Sequence, residues 1–399
     1  DAEGQLKVTL EVSHGILRLI DTTGLTALES SDLTGGAAAM IFEGTAEDLN
    51  AALAGLRYTN DVHYNGGDTL NITINDQGYS GIGGGEDVTD AITLDVLPVN
   101  DAPVIDLTGE VSLSIAEDND LLFHNGASGN TVLISVSDLD HEETDGGPLH
   151  VTLTVDHGTL RLTETTDVTA LESSDLTGGA ATLIFEGTAD ALNAALATLT
   201  YRNTLDYHVT DELTITVNDQ GNRGSGGELE VTDTLAIDIV PVNDAPVLVD
   251  TAVIAMTSIY EDNTYSAGDL VSTILNTSIS DVDDDATEGT SQGFAIVSSD
   301  ETNGKWQYSL DDGDTWEDIG AVTDEAALLL SSDAATRVRF APGVDYNGPA
   351  TFVFRAWDQH AGTNGATADT TDNGGITAFS ADTAEASIEI LSANDAPEI

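Results

Sequence analysis

Pro98-Val-Asn-Asp-Ala-Pro-Val104 recurs letter for letter as Pro241-Val-Asn-Asp-Ala-Pro-Val247, and a shorter form, Ala393-Asn-Asp-Ala-Pro397, stands near the end of the chain. Each copy follows a run of alternating apolar residues and precedes a new block of similar sequence, so the stretch reads as a seam between repeats. Working outward from it, His14-Gly-Ile-Leu-Arg-Leu19 and His157-Gly-Thr-Leu-Arg-Leu162 lie 143 residues apart. The same offset links SSDLTGG at 30–36 with 173–179, IFEGTA at 41–46 with 184–189, NDQG at 75–78 with 218–221, and the two seams themselves. One offset throughout means duplication without insertion, and a repeat architecture has to be recognised before any fold is assigned.

Within a copy the signals are those of short strands. Val8, Leu10 and Val12 alternate with polar residues, as do Leu70, Ile72 and Ile74, then Ile92, Leu94 and Val96. This is the period of two expected of half-buried strands, and Gly, Asn and Asp clusters punctuate it. Gly44–Leu56 and Gly187–Leu199 differ: Thr45 or Thr188 can cap a short Ala- and Leu-rich helix with an acidic residue in its first turn. A β-sandwich with one small helix inserted is therefore expected in each of the first two repeats.

The expected repeats are 1–100, 101–244 and 245–399. The first is read as incomplete, because Asp1 aligns with Thr144, and the chain as a segment of a longer polypeptide; missing opening strands would leave an unpaired sheet edge. The third keeps the framework, with Ile259–Asn263 (IYEDN) echoing Ile115–Asn119 (IAEDN) and Asp281-Val-Asp283 echoing Asp138-Leu-Asp140. In place of the helical segment it carries Lys305–Trp316, KWQYSLDDGDTW, and later Tyr346-Asn-Gly348 parallels Tyr64-Asn-Gly66.

Length and composition agree with this division. At 399 residues, 40 % of them hydrophobic and 20 % charged, the chain suits two or three folded domains and not a disordered acidic tract. Its charge is extreme: 71 Asp and Glu against 10 Lys and Arg give a formal −61. With no basic stripe, nucleic acid and anionic membrane surfaces are excluded as partners. No stretch reads as a membrane span or a signal peptide. There is no cysteine, so neither a disulfide nor a thiolate metal site enters.

The carboxylates recur at matching places: Glu-Asp early in a block, Asp-x-Asp next, Asp-x-Gly or its equivalent late, and Asn-Asp at the seam. Hard oxygen donors offered from several loops suit Ca²⁺, which takes six to eight of them at roughly 2.3–2.6 Å. Mg²⁺ demands a tighter octahedron, and Zn²⁺ lacks His or Cys ligand spacing. Two like charges about 4 Å apart repel by about 1 kcal/mol in water and about 4 kcal/mol at a protein surface, so carboxylates converging on a seam call for a divalent ion. The plainer alternative is that these residues form turns and solvate strand ends.

This order of motifs resembles the bacterial cadherin-like repeats found in tandem in large surface adhesins, RTX-type ones included, and the resemblance covers essentially the whole chain. It implies all-β, tandem Greek-key sandwiches of cadherin or immunoglobulin type, with Ca²⁺ between successive domains. Carried over by motif, the ligands at the first seam are Asn100, Asp101, Asp138, Asp140 and Asp219, and at the second Glu117, Asn243, Asp244, Asp281, Asp283 and Asp358. Asp118 and Asp262 stand beside the early glutamates as substitutes. Glu261, Asn394 and Asp395 would serve a following domain, and Asp76 a preceding site. The sequence departs from cadherins at Leu97 and Val240, where their longer linker begins with an Asp; a ligand is lost there.

Ser309-Leu-Asp-Asp-Gly-Asp-Thr-Trp316 fits the Ser-x-Asp-x-Gly-x-Thr-Trp box that sialidases use as a hairpin turn remote from catalysis. A hairpin is the expectation here, since no arginine cluster accompanies it. No nucleophile elbow and no isolated carboxylate pair marks an enzyme, and His14 and His157 read as turn or strand-end residues. The sequence thus points to a Ca²⁺-rigidified extender of a bacterial surface adhesin, secreted or held at the cell surface, whose partners are neighbouring repeats of the same polypeptide. One alternative is a module whose third repeat binds a surface glycan or protein, with Trp306, Tyr308, Trp316 and Trp357 available for stacking. Another is a halophilic acidic surface with incidental ions.

Overall fold

The computed structural model of the chain describes residues 4–79, 82–109, 113–125, 130–141, 147–221, 224–249, 253–276, 278–283 and 292–394. They group into two compact units. One takes in Asp1–Leu113, Asp120–Arg202 and Asp211–Ile237, the other Ser114–Asn119, Asn203–Thr210 and Asp238–Ile399.

In the first sequence copy the strands Thr26–Ala27, Ala39–Gly44, Leu6–Glu11, Gly66–Asn75 and Asp87–Val96 form one sheet in that spatial order. Val8 lies opposite Phe42 and Ile74, and Leu10 opposite Met40 and Ile72, all antiparallel. Period-two alternation puts Val8, Leu10, Met40 and Phe42 on the inner face, where they are fully buried. The expected helix is present as Ala46–Leu53, with Thr45 Oγ1 accepting from Asp48 N–H at 3.2 Å and Leu49 and Ala52 turned onto the core. Its counterpart Ala189–Leu196 is capped in the same way by Thr188.

The His-Gly motif has a structural reason. Tyr58 Oη donates to His14 O at 2.8 Å and to the buried Asp68 Oδ2 at 3.0 Å, and Asp68 also accepts from Ser13 and His14 N–H. Tyr201, His157 and Asp211 repeat the arrangement. A Cβ at Gly158 would fall 2.4 Å from Arg202 O, so only glycine lets the two strands approach.

The two copies differ in the strands found beyond this sheet. In the second copy Val104–Thr108 pairs with Leu133–Ser137, and Asp120–Leu122, Thr200–Asn203 and Gly158–Arg161 form a further sheet. Leu213, Ile215, Val217, Leu235 and Ile237 are at most 2 % exposed. At the same positions of the first copy Ile74 is 36 % and Ile92 50 % exposed. Among the described residues of that copy no strand takes the place of Val104–Thr108 and Leu133–Ser137.

The second unit contains a sandwich of its own. Ile254–Ala255, Ala384–Leu391, Gly348–Trp357, Gly293–Ser299, Ala327–Ser331 and Thr367–Ala368 form one sheet, with Ile259–Tyr260 also lying parallel to Ala384–Leu391. Asp269–Leu270, Arg337–Pro342, Gly304–Ser309 and Glu317–Asp318 form the other. Trp306 meets Phe352 edge-on, ring centroids 5.0 Å apart, and Trp306, Trp357 and Tyr308 are buried. Core packing therefore accounts for these three aromatics. The Asp-box is a hairpin turn: Asp311 accepts from Ser309 Oγ, Thr315 N–H and Thr315 Oγ1, and Trp316 Nε1 donates to Gly313 O. A short helix, Val271–Leu275, has no side-chain cap at its start and went unannounced in the sequence. The chain is all-β, in tandem sandwiches.

Candidate metal centre

The two identical seams build the same hydrogen-bonded frame. At the first, Asn100 Nδ2 donates to Asp219 Oδ2 at 2.5 Å, Asp101 N–H to Asp140 Oδ2 at 2.7 Å, and Asp140 N–H to Asp138 Oδ1 at 2.8 Å. At the second, Asn243 Nδ2 donates to Asp358 Oδ2 at 3.0 Å, Asp244 N–H to Asp283 Oδ2 at 2.6 Å, and Asp283 N–H to Asp281 Oδ1 at 3.2 Å. The seam asparagine thus fixes the late aspartate, and the seam aspartate fixes the Asp-x-Asp loop. Each bond from a backbone N–H orients a carboxylate without neutralising it.

Around the second seam the acids converge further. One oxygen each from Glu117, Asp244 and Asp283 lie within 4.8 Å of one another, as do oxygens from Asp118, Asp206 and Asp244. All five belong to the second unit. Glu117 is 2 % exposed; its N–H donates to Val240 O at 3.0 Å and its Oε1 accepts from Val242 N–H at 2.7 Å. Its Oε2 is buried with no hydrogen-bond partner, and His208 Nδ1 stands 3.7 Å off. Asp118 and Asp206 occupy left-handed turn positions, φ 61° and 57°, and Asp206 N–H donates to Asp118 Oδ1 at 3.3 Å. Aspartate is among the residues that tolerate this backbone region.

The electrostatics follow from the geometry. Burial pushes the Asp244 carboxyl above its ordinary range, and the charges of Asp283, Asp206, Asp118 and Glu117 push it the same way. Burial likewise raises Asp358 and Asp138. A buried carboxylate oxygen without a hydrogen bond, on a residue grouped with Asp244 and Asp283, fits a hard divalent cation, which would satisfy its lone pairs.

The structure thus brings together Glu117, Asp118, Asp244 and Asp283 of the expected set, with Asn243, Asp281 and Asp358 as their bracing. Asp206 was missed in the sequence. It aligns with Asp345, each ahead of a tyrosine, and that recurrence is the signal that could have found it. At the first seam the offset puts His63 in this place, its Nδ1 3.1 Å from Asp101 Oδ2, and carries Glu117 and Asp118 to positions ahead of residue 1. There Asp138 Oδ2 is buried without a hydrogen-bond partner. Among the described residues only the second seam gathers three such acids.

The outer candidates keep the same local frames. Glu261 is buried, accepting from Ala393 N–H on Oε1 at 2.6 Å and from Asn347 Nδ2 on Oε2 at 3.2 Å, while Asp262 and Asn394 are exposed. Asp76 Oδ1 accepts from Gly78 and Glu86 N–H, which hold its carboxyl below the ordinary range. Asp395 lies outside the described residues. Leu97 and Val240, where an acid is lacking, are 73 % and 44 % exposed.

No protein-family model matches the chain, and no curated protein shows significant sequence similarity to it. Among solved structures it is similar to mouse protocadherin-24 EC1-3, at 10 % identity over 96 % of this chain and 90 % of that one, TM-score 0.37. Mouse cadherin-23 EC22-24 matches at 11 % identity over 97 % and 86 %, TM-score 0.35. Domains 4-9 of the surface layer protein SbsC match at 14 % over 97 % and 48 %, TM-score 0.20.

Proposed function

We propose that the chain is a Ca²⁺-rigidified extender of a bacterial surface adhesin, built of repeats meeting near residues 100 and 244 and projecting an adhesive region for attachment. The observation that supports this reading is the second seam, where Glu117, Asp244 and Asp283 form one acid group and Asp118, Asp206 and Asp244 another, and where Glu117 Oε2 is buried without a hydrogen bond. Bound there, Ca²⁺ would supply positive charge to carboxylates that otherwise repel. The chain's own part is to pre-orient them. Asp283 is held by Asp244 N–H, Glu117 by Val242 N–H and Asp358 by Asn243, so the acids of the early turn, the seam and the Asp-x-Asp loop present one oxygen-rich face.

The first seam has the same frame around Asn100, Asp101, Asp138, Asp140 and Asp219, but His63 in place of Asp206. A neutral imidazole is a poorer Ca²⁺ ligand than a carboxylate, so this seam holds the ion more weakly. No helix among the described residues is long and apolar enough to cross a membrane.

Differential scanning calorimetry and sedimentation in millimolar Ca²⁺ and in EDTA test the proposal. A higher melting midpoint and an altered hydrodynamic radius in Ca²⁺ are expected. Identical behaviour in both buffers, or stability that follows monovalent salt alone, would refute it.

A further inference from the structure

We propose that the sandwich of the second unit carries a pocket for a single hexuronic-acid unit, a sugar bearing one carboxylate, built on Arg339. The starting point is a cation without a counter-ion. Arg339 is 9 % exposed, in a chain where acids outnumber Lys and Arg 71 to 10. Its Nε donates to Gln307 Oε1 at 2.9 Å and its Nη1 to Ser266 O at 3.1 Å, and its guanidinium lies 3.9 Å from the ring centroid of Trp316. Among the described residues no carboxylate lies within ion-pair distance of it and Nη2 has no hydrogen-bond partner. Arg337 and Arg355, by contrast, pair with Asp312 at 2.6 Å and Asp324 at 3.1 Å. A buried charge left unpaired is costly, and a ligand carboxylate removes that cost.

The second observation is the space beside it. Arg339 lines a half-open cavity of about 250 Å³, small against the pockets that hold drug-sized ligands and suited to one sugar ring. Met256, Ile259 and Ile388 give it apolar lining that matches the C–H face of a pyranose. Ser258, Asn263 and Asp269 give it acceptors. Asp269 uses Oδ2 to accept from Thr257 N–H at 2.7 Å. Because Asp269 is itself an acid, a bare small anion meets repulsion there, whereas a sugar acid brings hydroxyl donors to it and its carboxylate to Arg339. That combination selects a uronic acid over acetate or a neutral hexose.

The test uses the full chain at about 0.15 M salt, where a Debye length of about 8 Å limits repulsion from the rest of the protein. Saturation-transfer NMR and calorimetry with glucuronate, glucose and acetate should show binding of glucuronate alone, equally in Ca²⁺ and in EDTA. Arg339→Gln should weaken it about tenfold or more, from loss of a charge-assisted contact. Ala267→Phe, at an exposed lining position, should block the cavity while leaving Arg339 and the fold in place. Absence of glucuronate binding to the native chain overturns the proposal, as does binding that survives both substitutions, acetate binding as tightly, or binding that requires Ca²⁺. The last outcome would assign the carboxylate to the metal centre, so failure of this site and failure of the Ca²⁺ reading are told apart.

Discussion

Replacing Asp244 by Asn should stabilise the chain in EDTA and destabilise it in Ca²⁺. Asp244 belongs to both acid groups, so one of its oxygens lies within 4.8 Å of Glu117 and Asp283 and one within 4.8 Å of Asp118 and Asp206. At that distance each repulsion is about 0.9 kcal/mol in bulk water. Screening at physiological salt roughly halves it, so four of them sum to about 2 kcal/mol. The bond from Asp244 N–H to Asp283 is a backbone bond and survives the substitution. For a unit of this size about 2 kcal/mol corresponds to a melting midpoint roughly 4–8 °C higher. In Ca²⁺ the sign reverses. A cation at a hundred times its dissociation constant contributes about 2.7 kcal/mol to the native chain, and the variant lacks the one carboxylate that both groups share. Calorimetry of the two proteins in both buffers should therefore give curves that exchange order. An Asp244→Asn midpoint below native in EDTA, or the same order in both buffers, would show that these acids are ordinary solvated turn residues.

Three further outcomes follow from the same geometry. Leu235→Ala should cost about 2–5 kcal/mol, as a buried leucine does, while Ile92→Ala at the equivalent place, 50 % exposed, should cost under about 1 kcal/mol; urea denaturation of both variants checks the contrast. Burial alone would raise Asp68, but N–H donors from Ser13, Thr69 and His14 and the Tyr58 hydroxyl outweigh it and hold the carboxyl down at about 2. Its folded value lies below its unfolded one, so its contribution is present above about pH 4 and is lost as pH falls from about 4 towards 2; acid titration of Asp68→Asn should show a shallower loss in that window. Asp244 and Asp358 are raised instead, so without a cation their contribution is present below about pH 4 and is lost as pH rises through the folded values. In EDTA the midpoint should gain on mild acidification relative to the Ca²⁺ form, and equal pH profiles in the two buffers would contradict this.

Much of the fold could be read from the chain because its signals are local and repeated. Alternation at Val8, Leu10 and Val12 and the Thr45 and Thr188 caps act within a few residues, and duplication shows each of them twice. What could not be read depends on partners far away in sequence. Ile92 and Leu235 sit in nearly the same local pattern, yet one is half exposed and the other buried, and the strands Val104–Thr108 and Leu133–Ser137 of the second copy have no counterpart among the described residues of the first. The Val271–Leu275 helix lacks a side-chain cap and gave no start signal to read.

The candidate metal centre divides in the same way. Seam, Asp-x-Asp and late aspartate were legible because each is a motif, and the structure ties them by the same three hydrogen bonds at both seams. Asp206 belongs to no motif, and its place is defined by backbone shape. His63, Asp206 and Asp345 all hold φ near 57–58° one residue before a tyrosine. The turn needs a residue that tolerates the left-handed region, which His and Asp both do, so the fold leaves the chemistry of that position open. A carboxylate there completes the second seam with Asp118 and Asp244; an imidazole there stands against Asp101. At this backbone-defined position the two seams thus differ by a carboxylate against an imidazole. His63→Asp should therefore raise Ca²⁺ affinity at the first seam, leave the second unchanged, and show in a calorimetric titration as a strengthened second class of sites.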